Sequence, residues 1–159
     1  MGSLNLGPDI DALIFEQILE IDDDENERKF SRSMVFDYLE QAEQTFEQMD
    51  FALYVESHHN IYPVIVPNID KYDATCRKDK DLEKLSSLSH FLKGSSAILG
   101  LTRVEKSCEM IEHYGQQKDA AGEVNKLEKQ DCVDAIEKLL VQVREKYAEV
   151  EAVLRRFYA

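Results

Sequence analysis

The sequence predicts an all-α fold, a four-helix bundle with an additional short N-terminal helix covering one side. Three observations carry this. Five segments have apolar residues at helical spacing. Only 6 Gly and 3 Pro occur in 159 residues, too few for the dense turns of a β-sandwich or barrel. The last segment, Ile136, Leu140, Val143, Tyr147, Val150, Leu154 and Phe157, steps alternately by four and three, as in a long helix lying along others.

The elements follow in order. The first helix is expected from about Pro8, a residue suited to a first turn, to Ile21, with Ile10, Leu13, Ile14, Ile18 and Ile21 on a greasy face. Asp22-Asp23-Asp24-Glu25 ends it as a solvated turn whose charge favours the start of the next helix. The second helix spans about Ser31 to Phe51 or a little beyond, with Val35, Tyr38, Leu39, Ala42, Phe46 and Met49 inward and Phe30 and Met34 off to one side. Residues 55–80 lack helical periodicity, and the β-branched, Pro-bounded run from Ile61 to Asn68 predicts an irregular insertion loop. His58, His59, Asp70, Asp73 and Cys76 fall within it at a spacing that matches no zinc motif and read as polar loop residues. The third helix spans about Asp81 to Leu99, closed by Gly100. The fourth begins at Thr102, where Thr102 and Glu105 have capping-box spacing, and buries Leu101, Val104, Cys108, Ile111 and Gly115.

The length fits one domain, 1–159, able to bury about two-thirds of its unfolded surface. A hydrophobic fraction of 43% with 32% charged residues reads as globular. The net charge of −13 repels phosphate backbones and anionic lipid heads, so neither nucleic acid nor membrane is an expected partner. No apolar run reaches the ~18–20 residues of a membrane span. No charged-then-apolar signal segment opens the chain, so a cytoplasmic or nuclear location is expected. Cys76, Cys108 and Cys132 are odd in number and far apart, which excludes a full disulfide framework and suggests a reducing compartment.

The third helix carries the chemistry. Leu85, Leu88, Leu92, Ser96 and Leu99 share its core side, and His90 lies about 170° from their mean direction, pointing outward. Lys93 and Gly94 flank His90 on the next turn. A mid-helix Gly costs ~1 kcal/mol against Ala, and Gly94 faces away from the core, so close packing does not account for it. The strip instead suits a large partner approaching the backbone beside His90. A neutral imidazole has a nucleophilic nitrogen that accepts a phosphoryl group and hands it on. Lys93 would neutralise the phosphoryl oxygens, Gly94 would leave room for the incoming site, and Ser95 would offer a positioning hydroxyl. Phosphoryl transfer is mostly positioning and charge neutralisation, so a partner could bring the rest. His113, on the fourth helix, has no such surroundings.

The run His90-Phe91-Leu92-Lys93-Gly94-Ser95-Ser96-Ala97 resembles the H-x-x-K-G-S-S-A signature of histidine-containing phosphotransfer (HPt) domains, and Gly100-Leu101 and Arg103 continue the likeness. Within that family the chain is similar to the fungal phosphorelay intermediates of the Ypd1 type, which also carry an N-terminal helix ending in acidic residues, like Ile18 to Asp24, and a segment like Asp37 to Phe46. The resemblance covers about 10–51 and 82–117; the last helix matches in pattern only. It implies a monomeric bundle that relays phosphate from the receiver-domain Asp of a hybrid sensor kinase to the receiver-domain Asp of a response regulator, without kinase or phosphatase chemistry of its own. It implies phosphorylation of His90, with Lys93 and Gly94 in support. It needs no metal or cofactor on this chain, Mg2+ being expected on the partner receiver. The implied docking surface holds Ile14, Ile18, Ile21, Phe30, Met34 and Phe91.

Two departures stand out. The 55–80 loop is long for the family. Glu112 stands where a Gln would be expected beside the phosphorylation site, with Gln116 where a base would be. A carboxylate at 112 repels a phosphoryl group unless it turns away or pairs with Lys93. The dimerisation helices of a histidine kinase are a poorer match: they need an acidic residue and a Thr-Pro pair after the His, where this chain has Phe91 and no Pro, and its length leaves no room for a nucleotide-binding domain. The remaining alternative is a helical adaptor that binds partners through the apolar patch without being phosphorylated; it gives no reason for Gly94.

Overall fold

The structure, a computed structural model, describes residues 6–24, 26–57, 74–123 and 126–159. Among them are five helices and no strand: α1 Ala12–Leu19, α2 Lys29–Ser57, α3 Ala74–Ile98, α4 Thr102–Gly115 and α5 Lys129–Phe157. α3 packs against α2 and α4, and α5 closes the ring by packing against α4 and α2. This is the expected four-helix bundle.

The core is built from the predicted stripes. On α5, Ile136, Leu140, Val143, Tyr147, Val150 and Leu154 are buried and Phe157 is half-buried. On α2, Val35, Tyr38, Leu39, Ala42, Phe46 and Met49 are buried against them. Tyr147 meets the Phe46 ring edge-on at 5.3 Å and donates its hydroxyl to Leu39 O at 3.0 Å, so its polar end is satisfied inside the core.

α1 is shorter than its apolar spacing suggests. It starts after Asp11, whose carboxylate accepts from Leu13 N at 3.0 Å and Ile14 N at 3.3 Å as an N-cap. Pro8 lies in the turn before the helix rather than in its first turn. The inward residues also differ: Phe15 and Ile18 are buried, whereas Leu13 and Ile21 are exposed. Asp11 N donates to Gly100 O at 2.8 Å, and Phe15 packs edge-on to Phe157 at 5.6 Å. These contacts place α1 over the end of the bundle where the α3–α4 turn meets the C-terminus of α5, and that docking sets which face turns in. The acidic run does help start α2: Asp22 Oδ1 accepts from Phe30 N at 2.9 Å and Ser31 N at 3.0 Å.

The irregular 55–80 segment is corrected at both ends, since α2 continues to Ser57 and α3 begins at Ala74. Ala74, Arg77, Lys78 and Lys80 are good helix formers but carry no apolar period, so periodicity alone could not find these first two turns. Cys76 is therefore a helix residue; His58, His59, Asp70 and Asp73 lie outside the described residues.

The α3–α4 turn closes as expected. Leu101 N donates to Ser96 O at 2.9 Å and Gly100 N to Ala97 O at 3.0 Å, with Gly100 at φ 72°. A Cβ at Gly100 would also meet Asp11 O at 3.0 Å. The expected capping box is absent. Leu101 is the N-cap without a side-chain cap bond, and Thr102 is already the first helical residue. The tight turn starts α4 one residue too early for the Thr102 hydroxyl to reach back.

Two helical glycines have opposite surroundings. A Cβ at Gly115 would lie 2.8 Å from Ser86 Cβ and 2.9 Å from Leu82 O, so Gly115 is where α4 crosses close to α3. A Cβ at Gly94 would meet nothing within 4 Å. Gly115→Ala should therefore destabilise the fold by roughly 1–3 kcal/mol, while Gly94→Ala should stabilise it by about 1 kcal/mol. Urea denaturation of both variants checks the pair, and a shift of the same sign in both would refute the assignment.

Candidate functional site

α3 presents His90 and Lys93 on one face, three residues apart. Glu112 arrives from α4 one turn before Gly115, at the close crossing. Its carboxylate joins the two: Oε1 lies 2.8 Å from His90 Nδ1 and Oε2 2.6 Å from Lys93 Nζ. The His90 side chain is 70% exposed, the Lys93 side chain 24% and the Glu112 side chain 11%. The imidazole therefore stands in solvent with its inner nitrogen tethered.

The electrostatics fix the proton. Burial works against the charge of Glu112, but hydrogen bonds from Lys93 and His90 outweigh it and hold the carboxyl below its ordinary range. The same bond holds Lys93 above its ordinary range, against desolvation and with help from the charges of Glu109 and Glu105. An ionised carboxylate only accepts, so His90 Nδ1 carries the hydrogen and donates it. In the neutral ring Nε2 then bears the lone pair, and it makes no hydrogen bond among the described residues. That leaves a nucleophile aimed at solvent beside a cation and beside the open space over Gly94.

The other expected site residues divide. Ser95 donates toward Leu92 O at 3.2 Å and Phe91 O at 3.3 Å, so its hydroxyl hydrogen is committed to its own helix. Gln116 donates to Ser86 Oγ at 3.3 Å, one turn from the trio. On the core side of α3, three residues beyond Lys93, Ser96 Oγ bonds the Tyr38 hydroxyl at 2.9 Å and ties α3 to α2. Burial pushes the Cys108 thiol up to about 12, which keeps it neutral. His113 donates from Nδ1 to Ala120 O at 3.1 Å and its ring lies against Gly122, a structural role. Among the described residues no cluster of His, Cys, Asp or Glu could hold a metal ion, and no helix is long and apolar enough to cross a membrane.

The apolar patch needs one correction. Ile18 is 5% exposed and belongs to the core, because α1 turns Phe15 and Ile18 inward together. Ile21, Phe30 and Phe91 are exposed as expected, whereas Ile14 and Met34 are partly covered. Leu13, expected on the greasy face but not in the docking surface, is 73% exposed, and Ile98, one turn beyond Gly94, is a further exposed apolar residue. The Ile14 and Ile18 spacing looks equivalent in sequence, and only the docking of α1 distinguishes the two. Glu112 was legible as a departure, but its bonding required the α3–α4 crossing.

A helical bundle with an exposed His beside Lys and Gly is the arrangement expected of a histidine-containing phosphotransfer domain, and the family comparison gives that class. The Hpt domain family model matches residues 33–152, and the chain belongs to that family. It is 40% identical over 149 residues to multistep phosphorelay regulator 1 of Schizosaccharomyces pombe, covering 94% of this chain and 42% of that protein. It is also 40% identical over 108 residues to the phosphorelay intermediate protein YPD1 of Candida albicans, covering 68% of this chain and 45% of that one. The chain thus spans less than half the length of these two relatives. Among solved structures it is similar to Ypd1 of Saccharomyces cerevisiae, crystallised with the receiver domain of its downstream response regulator Ssk1. That match has a TM-score of 0.66 and 26% identity and covers 94% of each chain.

Proposed function

We propose that this chain is a phosphorelay intermediate of the Ypd1 type. His90 takes a phosphoryl group from the receiver-domain Asp of a hybrid histidine kinase and passes it to the receiver-domain Asp of a response regulator. The observation that carries this reading is His90 itself: Nδ1 is held by Glu112 at 2.8 Å while Nε2 faces solvent next to Lys93 and Gly94. The likeness to relatives named for phosphorelay, one of them crystallised with a receiver domain, supports it.

In the transfer step the Nε2 lone pair attacks phosphorus of the aspartyl phosphate. The N–P bond forms as the P–O bond to the Asp breaks, and the carboxylate leaves with the electron pair. No proton moves: the ring keeps its Nδ1 hydrogen, and Glu112 faces the positive charge that develops there. Transfer onward is the reverse step on a second receiver. The chain supplies a nucleophile and charge, without kinase or phosphatase chemistry of its own; the receiver brings Mg2+ and the acceptor carboxylate. Incubation with a phosphorylated receiver domain tests the reading. Acid-labile phosphate on this chain is expected, and its absence would leave a helical adaptor.

Receiver docking would use exposed apolar residues near His90 rather than charge, given the chain's −13. Ile21→Ala or Phe30→Ala should weaken receiver binding by about 5- to 150-fold, with stability unchanged to within ~0.5 kcal/mol. Ile18→Ala should instead cost about 2–5 kcal/mol of stability. Affinity should depend weakly on salt. Calorimetric titration well below melting checks this, and a steep salt dependence with silent Ile21 and Phe30 variants would refute it.

A further inference from the structure

The Glu112 carboxylate raises a problem that the relay reading alone does not answer. Lys93 is a cation one turn from His90 and shares Glu112 with it, yet its ammonium is bonded to Glu112 Oε2 at 2.6 Å. The other Glu112 oxygen holds His90 Nδ1 at 2.8 Å. Glu109 and Glu105 also act on Lys93 from α4. A phosphoryl group on Nε2 would add roughly two negative charges within reach of the same ammonium. Two anions then compete for one cation, and the one already in place is largely buried. An amide at position 112 would accept the His90 hydrogen bond but would not hold the ammonium with a full charge.

We infer that Glu112 is a positioning residue that competes with the phosphoryl group for Lys93, so that phosphate taken up on His90 is passed on quickly rather than stored. Glu112 helps uptake by orienting the imidazole and facing its developing positive charge. It then withholds part of the stabilisation that Lys93 would give the phosphorylated product. The balance of the transfer step is unchanged: the N–P bond forms, the P–O bond breaks and the Nδ1 hydrogen stays in place. Only the depth of the intermediate changes. This inference rests on the relay reading of His90.

The test compares phosphohistidine lifetimes after charging with a phosphorylated receiver domain and removing it. In E112Q the lifetime should lengthen about tenfold, the size expected for releasing one charge-assisted hydrogen bond to the phosphoryl group. In a K93A background, E112Q should add no lengthening, because the competition acts through Lys93. A purely structural Glu112 would give slower uptake in E112Q with an unchanged or shorter lifetime, which overturns the inference while leaving the relay reading intact. The same lengthening in the K93A background would mean direct repulsion of the phosphate, and also overturns it. An unaltered chain that takes no label overturns the relay reading and this inference together. If E112Q folds poorly, the unaltered chain still decides. On phosphorylation the Lys93 ammonium and Glu112 carboxylate resonances should both shift as their bond loosens; if both stay fixed, the inference fails.

Discussion

Replacing His90 by Gln should abolish phosphoryl labelling while leaving the helical circular dichroism unchanged. The side chain is 70% exposed, so the core loses nothing. A Gln amide can still donate to Glu112, which keeps the carboxylate partnered, but it offers no nucleophilic lone pair. The loss should be complete because no other described His is equivalent: His113 has its Nδ1 hydrogen on Ala120 O and its ring packed against Gly122. Labelling by a phosphorylated receiver, followed by acid treatment, reads the result. Acid-labile label remaining on the H90Q chain would contradict the assignment.

Gly94→Gln should be the next most damaging change, and for a different reason. The site of the new side chain is open, with nothing within 4 Å of an ideal Cβ, so the free protein should accommodate it and gain about 1 kcal/mol of helix stability. The same side chain would stand one turn from His90, in the space that a receiver would enter under the proposed relay. Displacing the reacting atoms by about 1 Å is enough to cost roughly 100-fold in rate. Transfer should fall by at least about that factor while melting temperature holds or rises. Transfer at the parental rate would show that the space over Gly94 is not used. This opposition between stability and transfer separates Gly94 from Gly115, whose replacement should harm the fold first.

The sequence was most informative where burial is one-sided and long. The α5 heptads and the α2 stripe could be read directly because three or more turns repeat the same choice of face. α1 has only 8 residues, and its orientation is decided by Asp11 bonding Gly100 O and by Phe15 meeting Phe157, contacts between residues far apart in the chain. Periodicity therefore put Leu13 and Ile18 on one greasy face, and the resemblance put Ile18 in the docking surface, whereas the docking of α1 buries Ile18 and exposes Leu13. The start of α3 was missed because its first turns are polar, and the capping box because the Schellman turn at Gly100 leaves no residue between the turn and α4. At the site, His90, Lys93 and Gly94 were legible from spacing on a single helix. The role of Glu112 was not, since a carboxylate's partners depend on how two helices cross. Its bond to Nδ1 distinguishes the two imidazole nitrogens of a solvent-facing His and leaves Nε2 the unbonded one.

That distinction can be measured directly. Protein labelled with 15N at histidine, charged by a phosphorylated receiver domain, can be examined by long-range 1H–15N correlation, which distinguishes the two ring nitrogens. The account predicts a single phosphohistidine, at His90, with phosphorus on Nε2 and the hydrogen on Nδ1. Phosphorus on Nδ1 of His90, or on any other His, would contradict it.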